Sequence, residues 1–171
     1  MQHLFQVWPE FSDSVKAAPH VLLLADYDGT LTPIVALPQQ AVLTREVRER
    51  LSGLVLNPAY SLGVISGRSI DELKQLVGID GLYYSGNHGL EIEGPGLTYF
   101  HPPAEQARAM MRELAARLAE EMADIAGVII QEKGLSLSVH YRLVSEGEEA
   151  GVGEAFRRIT EPLRREGRPC G

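Results

Sequence analysis

The chain has 171 residues, 44% of them hydrophobic and 23% charged, with a formal net charge of −7. This fits one globular domain, or one with an insertion, and excludes a disordered chain. The acidic balance argues against a nucleic-acid partner, which needs a basic face. An anionic substrate would have to be caught by local positive groups or a metal.

At the N-terminus, "HLFQVWPEF" is expected to form a short helix packing through Phe5, Val7 and Trp8, or a loose arm. The opening residues lack the basic-then-apolar pattern of a signal peptide, and no apolar run approaches the roughly 20 residues of a membrane span. The next segment, "VLLLADYD", is a continuous apolar run of strand length, the pattern of a central parallel strand covered on both faces. "GTLTPIVALPQQAVL" carries two prolines and reads as an irregular excursion. Thr44 is placed to cap a helix whose Val47, Leu51 and Leu54 have helical spacing. "YSLGVISGR" predicts a second strand, and "SIDELKQLVG" a helix capped by Ser69, with Glu72 completing a capping box and Gly78 ending it. "GLYYSGNHGLEIEGPG" predicts a third strand running into a glycine-rich stretch. The order βαβαβ opens a doubly wound α/β sheet.

The character then changes. A boundary is expected in a loop at Pro102–Pro103, dividing residues 1–103 from 104–171. "PAEQARAMMRELAARLAEEMADIAG" predicts a long helix, and "GVIIQEKGLSLSVHYRLV" two strands meeting at Lys133–Gly134. "SEGEEAGVGEAFRRITEPLRREG" predicts a helix kinked or ended near Pro162. The single cysteine, Cys170, leaves no disulfide framework and fits a reducing compartment, so a soluble cytoplasmic protein is expected.

Four stretches carry chemistry. Ligands of open parallel sheets bind beyond the carboxyl ends of the strands, where Asp26 and Asp28 fall. Two adjacent carboxylates repel, and a hard divalent cation such as Mg²⁺ relieves that while binding substrate phosphate. A carboxylate can also attack phosphorus, and a neighbour can carry the proton. Gly29 permits the sharp turn, and Thr30 could donate to a phosphate oxygen. In "VISGRS", Ser66 and backbone N–H groups sit where an anion binds at a helix start, Gly67 allows close approach, and Arg68 can fork onto an oxyanion or orient a carboxylate. "SGNHGLEI" presents Asn87 and His88 at the same sheet edge. In "QEKGLSLSVHYR", His140 and Arg142 share a strand face with Ser136 and Ser138, and Glu132 and Lys133 end the preceding strand. Alone, each of the last three stretches reads as readily as a cap, a loop or a solvated face.

Together, "DYDGTLTPI", "VISGRS", "GNHGLEI" and "EKGLSLSVHYR", in this order, resemble the haloacid dehalogenase superfamily and, within it, the trehalose-6-phosphate phosphatases. The resemblance spans about residues 21–142. It implies a Rossmann-like α/β core (1–103), a mobile α/β cap (104–171), Mg²⁺ dependence and hydrolysis of trehalose 6-phosphate. By that analogy Asp26 is the nucleophile and a metal ligand. Asp28 is the general acid/base and a ligand through its carbonyl. Ser66 binds the phosphoryl group, Arg68, Asn87 and His88 lie at the core–cap interface, and Glu132, Lys133, His140 and Arg142 reach the sugar. The family's later lysine and "GDDxTDE"-type motifs have no counterpart here. After Arg142 the acidic groups are those of "SEGEEAGVGEAF", Glu161 and Glu166. The chain thus resembles an N-terminal portion, with weak or no activity expected on its own. Other sugar phosphates, such as sucrose phosphate or a mannosyl phosphoglycerate, and a non-catalytic regulatory module are the alternatives.

Overall fold

The computed structural model describes residues 3–165, the side chains of 164 and 165 excepted; Cys170 and Glu166 lie outside the described residues. A 3-10 turn at Leu4–Gln6 leads into α1 (Trp8–Ala17). Neither buries a residue. Phe5, Trp8 and Phe11 remain exposed and stack on one another, with ring centroids 6.3 and 5.7 Å apart. Of the two expectations the structure favours an exposed arm over a packed helix, with the aromatic rings contacting one another.

The core follows as β1 (Val21–Asp26), α2 (Arg45–Val55), β2 (Tyr60–Ile65), α3 (Ile70–Val77) and β3 (Tyr83–Gly86). The three strands pair in parallel, in the order β1-β2-β3. A hairpin of β4 (Glu91–Gly94) and β5 (Leu97–Phe100) extends the sheet antiparallel beyond β3, and the sequence reading did not separate these strands. Thr44 caps α2 by accepting from the Val47 N–H at 3.3 Å, and Ser69 caps α3 by accepting from the Glu72 N–H at 3.3 Å. Gly78 ends α3 at φ 59°, in the left-handed region where glycine is least strained. The guanidinium of Arg48 donates to the last carbonyls of α3, those of Leu76 and Val77.

The strand β1 is not central among the described residues. It pairs with β2 on one side, and Leu22, Leu23 and Leu24 are 59%, 43% and 53% exposed. An apolar run encodes two faces that must be covered; it does not encode which strand stands at the edge. The core instead gathers around Tyr27, Leu62, Val64, Ile70, Leu73 and Tyr84.

Pro102 and Pro103 do not form a loop. They open α4 (Pro102–Glu121), where a helix's first N–H groups lack intrahelical partners anyway. A two-stranded sheet, β6 (Ile129–Glu132) and β7 (Leu137–His140), and α5 (Glu149–Arg165) complete the described chain. α5 runs through Pro162, which falls in its last turn, instead of breaking there. Met111, Leu114, Leu118, Val152, Ala155 and Ile159 form a second core between α4, α5 and the inner face of β6–β7.

The exposure of β1 gives a direct prediction. Leu22→Ala should change the unfolding free energy of this chain by less than about 1 kcal/mol in denaturant melts. A loss of about 2–5 kcal/mol, the cost at a buried leucine, would contradict the edge placement.

Candidate active site

The register aligns the carboxyl ends of the three parallel strands: Asp26 lies beside Ile65, and Ile65 beside Ser85. The segment after β1 folds back on itself, with Leu31 and Thr32 donating to the Tyr27 carbonyl. Tyr27, between the two aspartates, points the other way. It is fully buried, its hydroxyl donates to the Ala41 carbonyl at 2.8 Å, and burial raises its pKa. Alternation about a buried tyrosine thus holds the two carboxylates outward.

Arg68 closes the site from below. It is only 5% exposed. Its Nε and Nη2 fork onto the two carboxylate oxygens of Asp28 at 2.9 and 2.8 Å. Nη2 also donates to the Pro38 carbonyl at 2.8 Å, and Nη1 to Glu72. The guanidinium lies 5.5 Å from the centre of the Tyr27 ring. The bonds to Asp28 raise the pKa of Arg68 against the opposing effect of burial, so the group stays cationic. Ser66, buried, accepts from the Arg68 N–H at 3.2 Å and directs its hydroxyl at Asp28, 3.4 Å away. A Cβ at Gly67 would come within 2.5 Å of the His88 imidazole, so a larger residue there would displace that ring.

Asn87 and His88 adopt left-handed backbone, φ 48° and 58°. Such paired strain persists where the surroundings fix it. Asn87 is fully buried. Its amide donates to Glu91 at 2.7 Å and to the Lys133 carbonyl at 3.1 Å, and its oxygen accepts from Ser136. Glu91, 8% exposed, also accepts from the first amide of α3, Ile70, at 2.8 Å. This one carboxylate joins a helix N-terminus to the strained turn, and Asn87 carries the link on to the β6–β7 hairpin.

That hairpin is docked on the core. Lys133 donates to the Gly67 carbonyl at 2.8 Å, Gln131 to Glu72 at 3.2 Å, and Arg142 to the Val35 carbonyl at 3.2 Å. A cleft of about 670 Å³ lies between, lined by Asp28, Ser66 and Arg68 from the sheet edge and by Gln131, Lys133 and His140 from the hairpin. Burial, with Arg68 adding, pushes the Lys133 ammonium below the usual lysine range, against the pull of Glu72 and Asp28. Burial, reinforced by Lys133 and Arg68, likewise lowers His140.

Of the residues singled out from sequence, Asp28, Ser66, Gly67, Arg68, His88, Lys133, His140 and Arg142 meet at this cleft. Asn87 lies beneath it as a strut. Asp26 and Thr30 stand exposed at the end of β1 and do not line it. Glu132 is turned away: it is exposed and accepts from the Gly134 N–H at 2.7 Å. Strand alternation explains this, since Gln131 shares the cleft face with Ser138 and His140, and Glu132 pairs with Leu137 on the opposite face. The sequence reading missed Gln131, Glu91 and Tyr27. It also took Glu72 for the return half of a capping box, whereas its carboxylate faces Arg68 and Gln131.

Asp26 and the main chain of Asp28 offer hard oxygen donors of the kind Mg²⁺ takes. Both carboxylate oxygens of Asp28 face Arg68, so its side chain is committed elsewhere in this conformation. Among the described residues no group of three or more His, Cys, Asp or Glu side chains forms a ready metal cluster.

An α/β sheet with an aspartate pair at the end of its first strand, a Ser-Gly-Arg turn after its second and a docked helix–hairpin unit has a haloacid dehalogenase-like fold. The sequence profile of the trehalose-phosphatase family matches residues 24–162, and the chain belongs to that family. It is 32% identical over 169 residues to the probable trehalose-phosphate phosphatase 3 of Oryza sativa, covering 90% of this chain and 46% of that protein. It is 31% identical over 160 residues to trehalose-phosphate phosphatase B of Arabidopsis thaliana, covering 87% and 42%. The C-terminal domain of a Candida albicans trehalose-6-phosphate phosphatase superposes with a TM-score of 0.78 at 24% identity, over 92% of this chain and 55% of that one, and shares the fold. The chain spans less than half the length of these curated relatives.

The lowered pKa of His140 fixes a pH dependence. The unfolded chain binds the proton more readily, so the contribution of His140 is complete above the ordinary imidazole value of about 6.5 and is lost as pH falls through its depressed folded value. An NMR titration should give a His140 midpoint below about 6.5. The stability difference between wild type and His140→Gln should shift in the same acid window. A midpoint at or above the ordinary value would contradict the buried, cation-flanked setting.

Proposed function

We propose that the protein containing this chain is a Mg²⁺-dependent phosphatase that converts trehalose 6-phosphate to trehalose and phosphate through an aspartyl-phosphate. The observation that carries the reading is the convergence of Asp28, Ser66 and Arg68 with Gln131, Lys133 and His140 at one cleft beyond the strand ends. Family membership supports the substrate class.

In this reading an Asp26 carboxylate oxygen attacks phosphorus, and the bond from phosphorus to the sugar oxygen breaks. Asp28 gives its proton to the leaving sugar hydroxyl, then takes one from the water that attacks the acyl-phosphate and releases phosphate. Ser66 donates its hydroxyl to a phosphoryl oxygen. Arg68 orients Asp28 through two parallel hydrogen bonds. Lys133, His140 and Arg142 approach from the cap toward the sugar, and Gln131 takes the cleft position expected of Glu132. Asp26 and the Asp28 carbonyl would hold Mg²⁺, which neutralises the phosphoryl charge. A further closing movement of the cap over Asp26 would exclude bulk water while it carries the phosphoryl group.

Two observations favour a second reading, a phosphatase-like regulatory module. Asp28 is fully engaged by Arg68, and Asp26 stands outside the cleft lining. For the 171 residues alone we propose weak turnover.

A phosphate-release assay decides between these readings. The protein should hydrolyse trehalose 6-phosphate in preference to sucrose phosphate or a mannosyl phosphoglycerate, only with Mg²⁺. Asp26→Asn should lower the rate by a factor of about 10³ or more. Turnover that survives Asp26→Asn, or that prefers another sugar phosphate, would overturn the proposal. Rapid turnover by the 171-residue chain itself would overturn the weak-activity expectation.

A further inference from the structure

Glu72 sits on α3, one turn beyond Arg68, and its two carboxylate oxygens serve different parts of the molecule. Oε1 accepts from Arg68 Nη1, and Oε2 accepts from the Gln131 amide on β6. Because the Gln131 nitrogen donates to Glu72, its oxygen is left to accept, which assigns His140 Nε2, 3.0 Å away, as the donor. A continuous path of hydrogen bonds therefore runs Asp28–Arg68–Glu72–Gln131–His140, from the reacting edge of the sheet into the cap hairpin. The other contacts that seat the hairpin avoid this path: Lys133 and Arg142 grip backbone carbonyls, and Ser136 grips Asn87. Among the described residues, Gln131 is the cap side chain that hydrogen-bonds to the Arg68 ion network.

We propose that Glu72 is a positioning residue that couples the seating of the cap to the orientation of Asp28, with Gln131 as the group that reads whether the cap is closed. The proposal rests on Asp28 being the acid/base of the reaction described above. A guanidinium is planar and rigid, so fixing Nη1 fixes the direction of the two nitrogens that grip Asp28. Seated, Gln131 pins the free oxygen of Glu72, and Glu72 pins Nη1. With the cap lifted, Glu72 loses that donor and its side chain, 25% exposed, can turn toward water. Arg68 then keeps Asp28 but loses one of its anchors. The direction in which Asp28 is held would thus depend on whether the cap is seated.

The test needs no turnover, so its failure is distinct from failure of the phosphatase reading. Proton exchange at Arg68 Nε–H, which faces Asp28, is followed by NMR in the full chain. Gln131→Ala, which touches neither Arg68 nor Asp28, should speed exchange about three- to tenfold, the effect of one hydrogen bond. Glu72→Ala should do the same, while Glu72→Gln, which keeps an acceptor oxygen for Gln131, should restore part of the protection. In the Glu72→Ala background, Gln131→Ala should add nothing further. Backbone exchange in α3 checks that each variant is folded. The proposal is overturned by unchanged Arg68 exchange in a folded Gln131→Ala protein. It is equally overturned if Gln131→Ala gives the same factor with Glu72 absent, because the residue would then act only by loosening the cap.

Discussion

A cation buried to 5% exposure must be surrounded by acceptors, and the burial of Arg68 organises everything near the strand ends. Its donors reach Asp28 after β1, the carbonyl of Pro38 in the irregular excursion, and Glu72 on α3. Its face lies against Tyr27, itself tied to Ala41. Three segments, 27–28, 38–41 and the start of α3, are thereby fixed around one guanidinium. A lysine could supply the charge but not the planar fork that matches the Asp28 carboxylate.

The cap is held to this centre by polar contacts, not by a shared apolar core. The two hydrophobic clusters are separate, one under the five-stranded sheet and one between α4 and α5. Hydrogen bonds through Asn87, Lys133, Gln131 and Arg142 bridge the gap. Such contacts exchange with water at small net cost, so the junction is held by interactions that water can replace. The depressed pKa values of Lys133 and His140 follow from this docking: two basic groups are taken from water and set near Arg68.

Much of this was legible in the sequence because it depends on local chemistry. Ser69 and Thr44 cap helices as their spacing implies, Gly78 ends one in the left-handed region, and the βαβαβ order gives a parallel sheet. What was not legible depends on pairings across the fold. The run "VLLLAD" reads as an interior strand whichever neighbours it has, yet here it pairs on one side alone. Glu72 satisfies a capping-box spacing, but Arg68, four residues earlier in the turn before α3, and Gln131, 59 residues later, claim its carboxylate. Glu132 and Gln131 are neighbours in sequence and opposites in the sheet, and only the exact register tells which faces the cleft. A tyrosine between two aspartates gives a weak hint of its burial through alternation. The link from Glu91 to Asn87 and Ile70 gives none.

The central claim is that the Arg68–Asp28 pair is a formed, structurally coupled interaction and not a surface contact. A double-mutant cycle with Arg68→Met and Asp28→Asn, read by denaturant unfolding, tests it most directly. Because Asp28 is 41% exposed on its side chain, the value of a fully buried charged hydrogen bond is discounted, and a coupling of about 1–2 kcal/mol is predicted. Additive losses, with a coupling below about 0.3 kcal/mol, would contradict the account.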